Sequence, residues 1–204
     1  MKNQQILNRL LINRLKKNPV QSDQGFSLIE LLVVILMIGI LSAIAAPSWQ
    51  AFTTGQRIKS VNNQVSQAIK TAQAEAKRSK DDYILQFDPA KDPPKYSIYK
   101  KDTPDAGKQW QSLSLDGAIK ENMLKIYSQA NGTVKNTITF DYRGTVKDPA
   151  LKQSTPPVNT DGFSVVVYPK GSPNSRNCII VQTILGATRT AEGTDDVKGC
   201  PEPK

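Results

Sequence analysis

Glu30 is the one carboxylate in a run from Phe26 to Ala46 whose other members are apolar or small, apart from the hydroxyls of Ser27 and Ser42. A lone acid near the head of such a run costs roughly 2.5–3.5 kcal/mol to insert into lipid, so its chemistry is ion pairing and it needs a cation. A cut between Gly25 and Phe26 would make one, because the new α-amino group on Phe26 is protonated at neutral pH. In a pile of identically oriented helices, the ammonium of an entering subunit pairs with Glu30 of a neighbour at one stagger only, which sets the axial register. Other reactive side chains are sparse. The chain has no histidine, which removes the commonest general base and metal ligand and excludes triads and zinc sites built on that residue. No G-x-S-x-G, P-loop or H-E-x-x-H string is present, so neither an enzyme nor a cofactor is expected. Glu192, Asp195 and Asp196 fall close together, but their spacing matches no EF-type loop, and no metal site is expected there.

The elements that must position these residues follow from composition. The chain has 204 residues, 27 Lys+Arg against 18 Asp+Glu, and two cysteines, which allows one ordinary domain with an appendage. Residues 1–25 form a basic leader, with Lys2, Arg9, Arg14, Lys16 and Lys17 against Asp23. Residues 26–46 then span about 31 Å as a helix, the thickness of a bilayer's hydrocarbon core. A basic flank keeps the N-terminus cytoplasmic and sends the remainder across the membrane. Pro47 marks a kink or a break. From there to residue 80 apolar residues recur at steps of three and four (Trp49, Phe52, Ile58, Val61, Val65, Ala68, Ile69, Ala72, Ala76), an amphipathic continuation of the helix.

After Asp82 short β-type runs take over: Tyr83–Phe87, Lys95–Lys100, Thr137–Tyr142, Phe163–Tyr168 and Cys178–Leu185, with Trp110–Leu115 and Leu124–Tyr127 as weaker candidates. Proline-rich turns separate them. The expected fold is α+β, one long helix whose second half packs on an antiparallel β-sheet, with residues 81–204 as an exported β-rich head. Cys178 and Cys200 then lie in an oxidising compartment, where they either pair or remain two thiols. A bridge would close a loop of about 21 residues, worth roughly 3 kcal/mol in the chain-entropy model, and pin the C-terminal tail.

The string Gly25-Phe26-Ser27-Leu28-Ile29-Glu30, with its basic leader and apolar span, resembles the prepilin signature of type IV pilins and type II secretion pseudopilins. That resemblance implies a pilin-like fold, cleavage by a prepilin peptidase after Gly25, and methylation of the amino group of Phe26. It makes Glu30 the subunit-assembly residue and Pro47 a helix-kink position. It further implies partners: other pilin or pseudopilin subunits, an inner-membrane assembly platform and membrane lipid. The leader is long and Gln24 stands where a basic residue often precedes the glycine. More loosely, residues 68–80 leading into Tyr83–Phe87, then Ile138–Gly144, Cys178–Val181 and Leu185–Arg189, resemble the H-type pseudopilins (the GspH/FimT family). Some members of that group take up DNA, which makes Arg189 a DNA-binding candidate. Against nucleic acid as a partner, Ala187 beside it is not basic and no aromatic follows Tyr168 for base stacking. Read without the resemblance, residues 26–46 also fit a plain anchor or a secretory signal, with Ala43-Ile44-Ala45 as a small-x-small site. The mature N-terminus separates these readings: Phe26, Ala46 or Met1.

Overall fold

The computed structural model describes residues 25–114, 119–152, 158, 160–195 and 198–203. The basic leader up to residue 24, Leu115, the Thr155-Pro156-Pro157 turn and Asp196 lie outside the described residues. The chain divides into two compact units, residues 1–47 and 48–204. A single helix, α1 (Leu28–Ser79), runs through the division with Pro47 inside it. The proline removes one backbone donor, yet the residues on both sides stay helical, so it does not end the helix.

In the first unit every described residue is exposed, from Gly25 to Pro47. The helix is apolar all round here and buries none of that surface in the chain's own fold, as a membrane-spanning segment requires.

The second unit pairs the rest of α1 with two antiparallel sheets, where the sequence predicts one. Strands β1 (Tyr83–Asp88), β2 (Lys95–Lys100), β3 (Trp110–Ser112), β6 (Thr137–Phe140) and β7 (Val146–Asp148) form the first, in the order β3-β2-β1-β6-β7. Strands β4 (Leu124–Ala130), β5 (Thr133–Val134), β8 (Phe163–Pro169), β9 (Asn177–Val181) and β10 (Thr188–Glu192) form the second, in the order β10-β9-β8-β4-β5. The inner faces follow from register. Leu85 lies opposite Ile138, and Val165 opposite Ile179. With Phe87, Phe140, Phe163 and Val167 these residues share one core with Ile58, Val61, Val65 and Ile69 of α1. Each such large side chain contributes about 1.5–3 kcal/mol by leaving water. Ala68, Ala72 and Ala76 recur at every fourth position on the same face and are buried, so the second half of this stripe is built of small side chains.

Strands β8 and β9 are buried on both faces. Their outer residues, Val166, Cys178 and Ile180, form a second cluster with Tyr127, Ala191 and Cys200. Two-sided burial explains why Phe163–Tyr168 reads as a nearly continuous apolar run rather than an alternating one.

The helix ends on a defined device. Lys80 has a φ of 54°, and the N–H of Asp81 donates to the carbonyl of Ala76 at 3.3 Å. That is a Schellman closure with lysine in the left-handed position.

One expectation about α1 is corrected. Trp49 and Phe52 are 67% and 58% exposed and do not belong to the buried stripe. The step from Phe52 to Ile58 is six residues, about 600° of helical rotation, which places the aromatics on another side of the helix.

Candidate assembly segment

Gly25, Phe26 and Ser27 precede the first helical residue and are exposed, Phe26 at 82%. Ser27 is the N-cap. Its hydroxyl oxygen accepts the N–H of Glu30 at 3.2 Å, and its carbonyl accepts the N–H of Leu31 at 3.1 Å. Ser27-Leu28-Ile29-Glu30 is thus an S-x-x-E capping sequence in which the serine half is formed. Two consequences follow. The Gly25–Phe26 peptide bond lies outside the helix, in exposed chain. Glu30 stands in the first turn, where the partial positive charge of the helix N-terminus favours a carboxylate. Among the described residues that carboxylate makes no hydrogen bond or ion pair. What this end of the chain can do chemically is accept a cation from outside the subunit.

The second unit brings its own residues together around α1. Gln73 donates through Nε2 to the carbonyl of Gly144 at 2.7 Å and to that of Leu185 at 2.9 Å. The first acceptor belongs to the β6–β7 turn and the second to the β9–β10 turn, so one helical side chain ties a turn of each sheet. The N–H of Val146 donates to the carbonyl of Ile184 at 2.7 Å and joins the two turns directly. Gly144 and Gly186 have φ near +80°. The positive φ is what asks for glycine at both positions; a Cβ on Gly144 would meet the movable end of exposed Lys77, and one on Gly186 would meet Nε2 of Gln73, which its two hydrogen bonds hold in place. Asp141 organises the first turn by accepting the N–H groups of Arg143 at 3.0 Å and Thr145 at 2.8 Å, with the Arg143 side chain at 3.1 Å. Burial pushes its carboxyl up, but these hydrogen bonds together outweigh burial and hold it below the usual aspartate value.

Cys178 and Cys200 form a disulfide, and both are fully buried. Buried Arg176 supports the same tail, donating through Nε to the carbonyl of Cys200 at 3.2 Å and through Nη1 to that of Pro173 at 3.2 Å. Arg189, the DNA-binding candidate, lies on β10 and donates to the carbonyl of Lys198 at 2.7 Å, so its guanidinium also holds the tail. Glu192 accepts from Asn177 at 3.0 Å and faces Lys59 at 3.7 Å, while Asp195 accepts the N–H of Lys198. Both acids thus have protein partners, and no cluster of metal-type ligands occurs among the described residues. The sequence reading missed Gln73 and the cap at Ser27. The S-x-x-E spacing was visible for the cap, whereas a polar residue beside an amphipathic stripe gives no signal for a clamp.

Residues 21–46 match the family model described as the prokaryotic N-terminal methylation motif. Over 116 residues the chain is 32% identical to the type IV major pilin protein PilE of Neisseria gonorrhoeae, covering 57% of this chain and 56% of that one. It therefore spans little more than half the length of that relative. Over 121 residues it is 31% identical to a fimbrial protein of Pseudomonas aeruginosa, covering 59% of this chain and 70% of that protein. Among solved structures, the type IV minor pilin FimU of Pseudomonas aeruginosa superposes with a TM-score of 0.51 at 14% identity, over 74% of this chain and 99% of that one. This likeness bears on fold alone and agrees with a long N-terminal helix packed on antiparallel sheets. Pilins are structural subunits rather than enzymes, in keeping with a chain that has neither histidine nor a catalytic string. An apolar N-terminal helix opened by a methylation motif, together with the identity to a fimbrial protein over most of that protein's length, shows that the chain belongs to the type IV pilin family.

Proposed function

We propose that this chain is a minor pilin or pseudopilin subunit of a type IV pilus or a type II secretion pseudopilus. A prepilin peptidase cuts between Gly25 and Phe26 and the new amino group of Phe26 is methylated. Residues 26–46 hold the product in the inner membrane, with the new N-terminus on the cytoplasmic side and residues 81–204 periplasmic. Residues 47–80 link that span to the head, and Pro47, which costs the helix one hydrogen bond, is where a bend is expected. An assembly platform then draws the subunit into a filament beside other pilins. The observation that carries this reading is the carboxylate of Glu30, unpartnered among the described residues and one helical turn beyond an exposed Gly25–Phe26 bond. In the filament it meets the Phe26 ammonium of an adjacent subunit, and both charges are satisfied at one stagger.

Glu30→Gln tests the pairing. The variant should insert in the membrane and be trimmed as the parent is, while its share in sheared filaments falls at least about tenfold, the factor that 1.4 kcal/mol represents. Incorporation at the parental level would remove the role of Glu30 in assembly.

A further inference from the structure

Trp49 and Phe52 are a pair of large aromatic side chains that the core of the second unit leaves out. Their ring centroids lie 6.0 Å apart, at positions three residues apart on α1, and both are more than half exposed. At about 100° per residue they fall roughly opposite the stripe of Ile58, Val61, Val65 and Ile69 that packs on the sheets, so no contact with this head covers them. Their place along the chain is equally specific. They come three and six residues after Ala46, the end of the apolar span, within about 10 Å of helical rise. The first cation beyond that span, Arg57, follows them. Apolar span, aromatic pair and then cation is the order in which a membrane boundary sorts side chains. An indole puts its ring among the acyl chains and its N–H among the headgroups, and a guanidinium reaches the phosphates.

We propose that Trp49 and Phe52 seat in the phospholipid headgroup layer on the head's side of the membrane and set the depth of the subunit before assembly. The ligand is the lipid interface itself. This rests on the reading that residues 26–46 span a bilayer, and the experiment separates the two. The full chain is reconstituted in phosphatidylethanolamine–phosphatidylglycerol vesicles. The chain has two tryptophans, so Trp110→Phe, on an exposed edge strand, leaves Trp49 as the sole fluorophore. Lipids brominated near the headgroup should quench it several-fold more than lipids brominated near the bilayer centre, and acrylamide should quench it weakly. A second variant, Ile38→Trp combined with Trp49→Phe and Trp110→Phe, reports on the span and should respond to the deep bromines. Quenching at position 38 with none at 49, and free access of acrylamide to 49, overturns the proposal while the span stands. Shielding of Trp49 from bromines and acrylamide alike, lost when the protein is diluted in lipid, also overturns it and assigns the aromatic pair to a neighbouring subunit. Absence of lipid quenching at both positions overturns the spanning segment and the proposal together.

Discussion

Asp141 shows how a single side chain in the head carries both geometry and pH dependence. Its carboxylate collects two backbone N–H groups and the Arg143 side chain, and its folded pKa lies below the ordinary value. A depressed carboxyl contributes stability that is present above its unfolded pKa and lost as pH falls through the folded one. Melting curves between pH 7 and pH 2 should therefore show stability declining below about pH 4, the ordinary aspartate range. Asp141→Asn should cost about 1–2 kcal/mol at neutral pH and flatten that acid-side decline. An unchanged decline in the variant would assign the pH dependence elsewhere. Asp81 and Asp105 are also lowered, by hydrogen bonds from Lys100 and Lys108, but those acids are exposed. Salt should erase their effect and leave that of Asp141.

At the scale of elements, the head is two sheets and a helix held at a few shared points, and these are where substitution should tell. Gln73→Ala frees two turn carbonyls and should lower stability by about 1–3 kcal/mol in chemical denaturation. Gly186→Ala should destabilise as well, since it adds a Cβ at positive φ against Gln73. In the Gln73→Ala background its cost should shrink, because the crowding atom is gone; additive losses would mean the two residues act separately. Removing the disulfide with Cys178→Ser and Cys200→Ser should cost roughly 3 kcal/mol and expose the tail to proteolysis. Most of the architecture was legible in the residues. The basic flank, the apolar span and the three-and-four spacing after Ile58 mark α1, and β2 begins and ends where the pattern puts it. What stayed hidden has physical causes. Strands β5 and β7 have two and three residues, too few for an alternating pattern. Thr188–Glu192 is polar because it is an edge strand with one half-covered face. The division into two sheets depends on crossovers that local periodicity does not encode, and Trp49 and Phe52 mimic a core stripe only until the six-residue gap to Ile58 is counted.

For the whole molecule, the two units answer to different solvents. Residues 48–204 bury their own core, whereas the described part of residues 1–47 buries nothing and presents one unpaired acid near its start. Such a rod suits lipid or the company of other rods, and the acid costs least once a cation exists to meet it. Trimming the precursor is therefore the event on which the proposed function turns. The direct test is intact-mass and N-terminal analysis of the protein recovered from its native membrane. The expected chain begins at Phe26, lacks the preceding residues and carries one added methyl on its amino group. A mature protein that begins at Met1, or at Ala46 after cleavage by a signal peptidase, would contradict it.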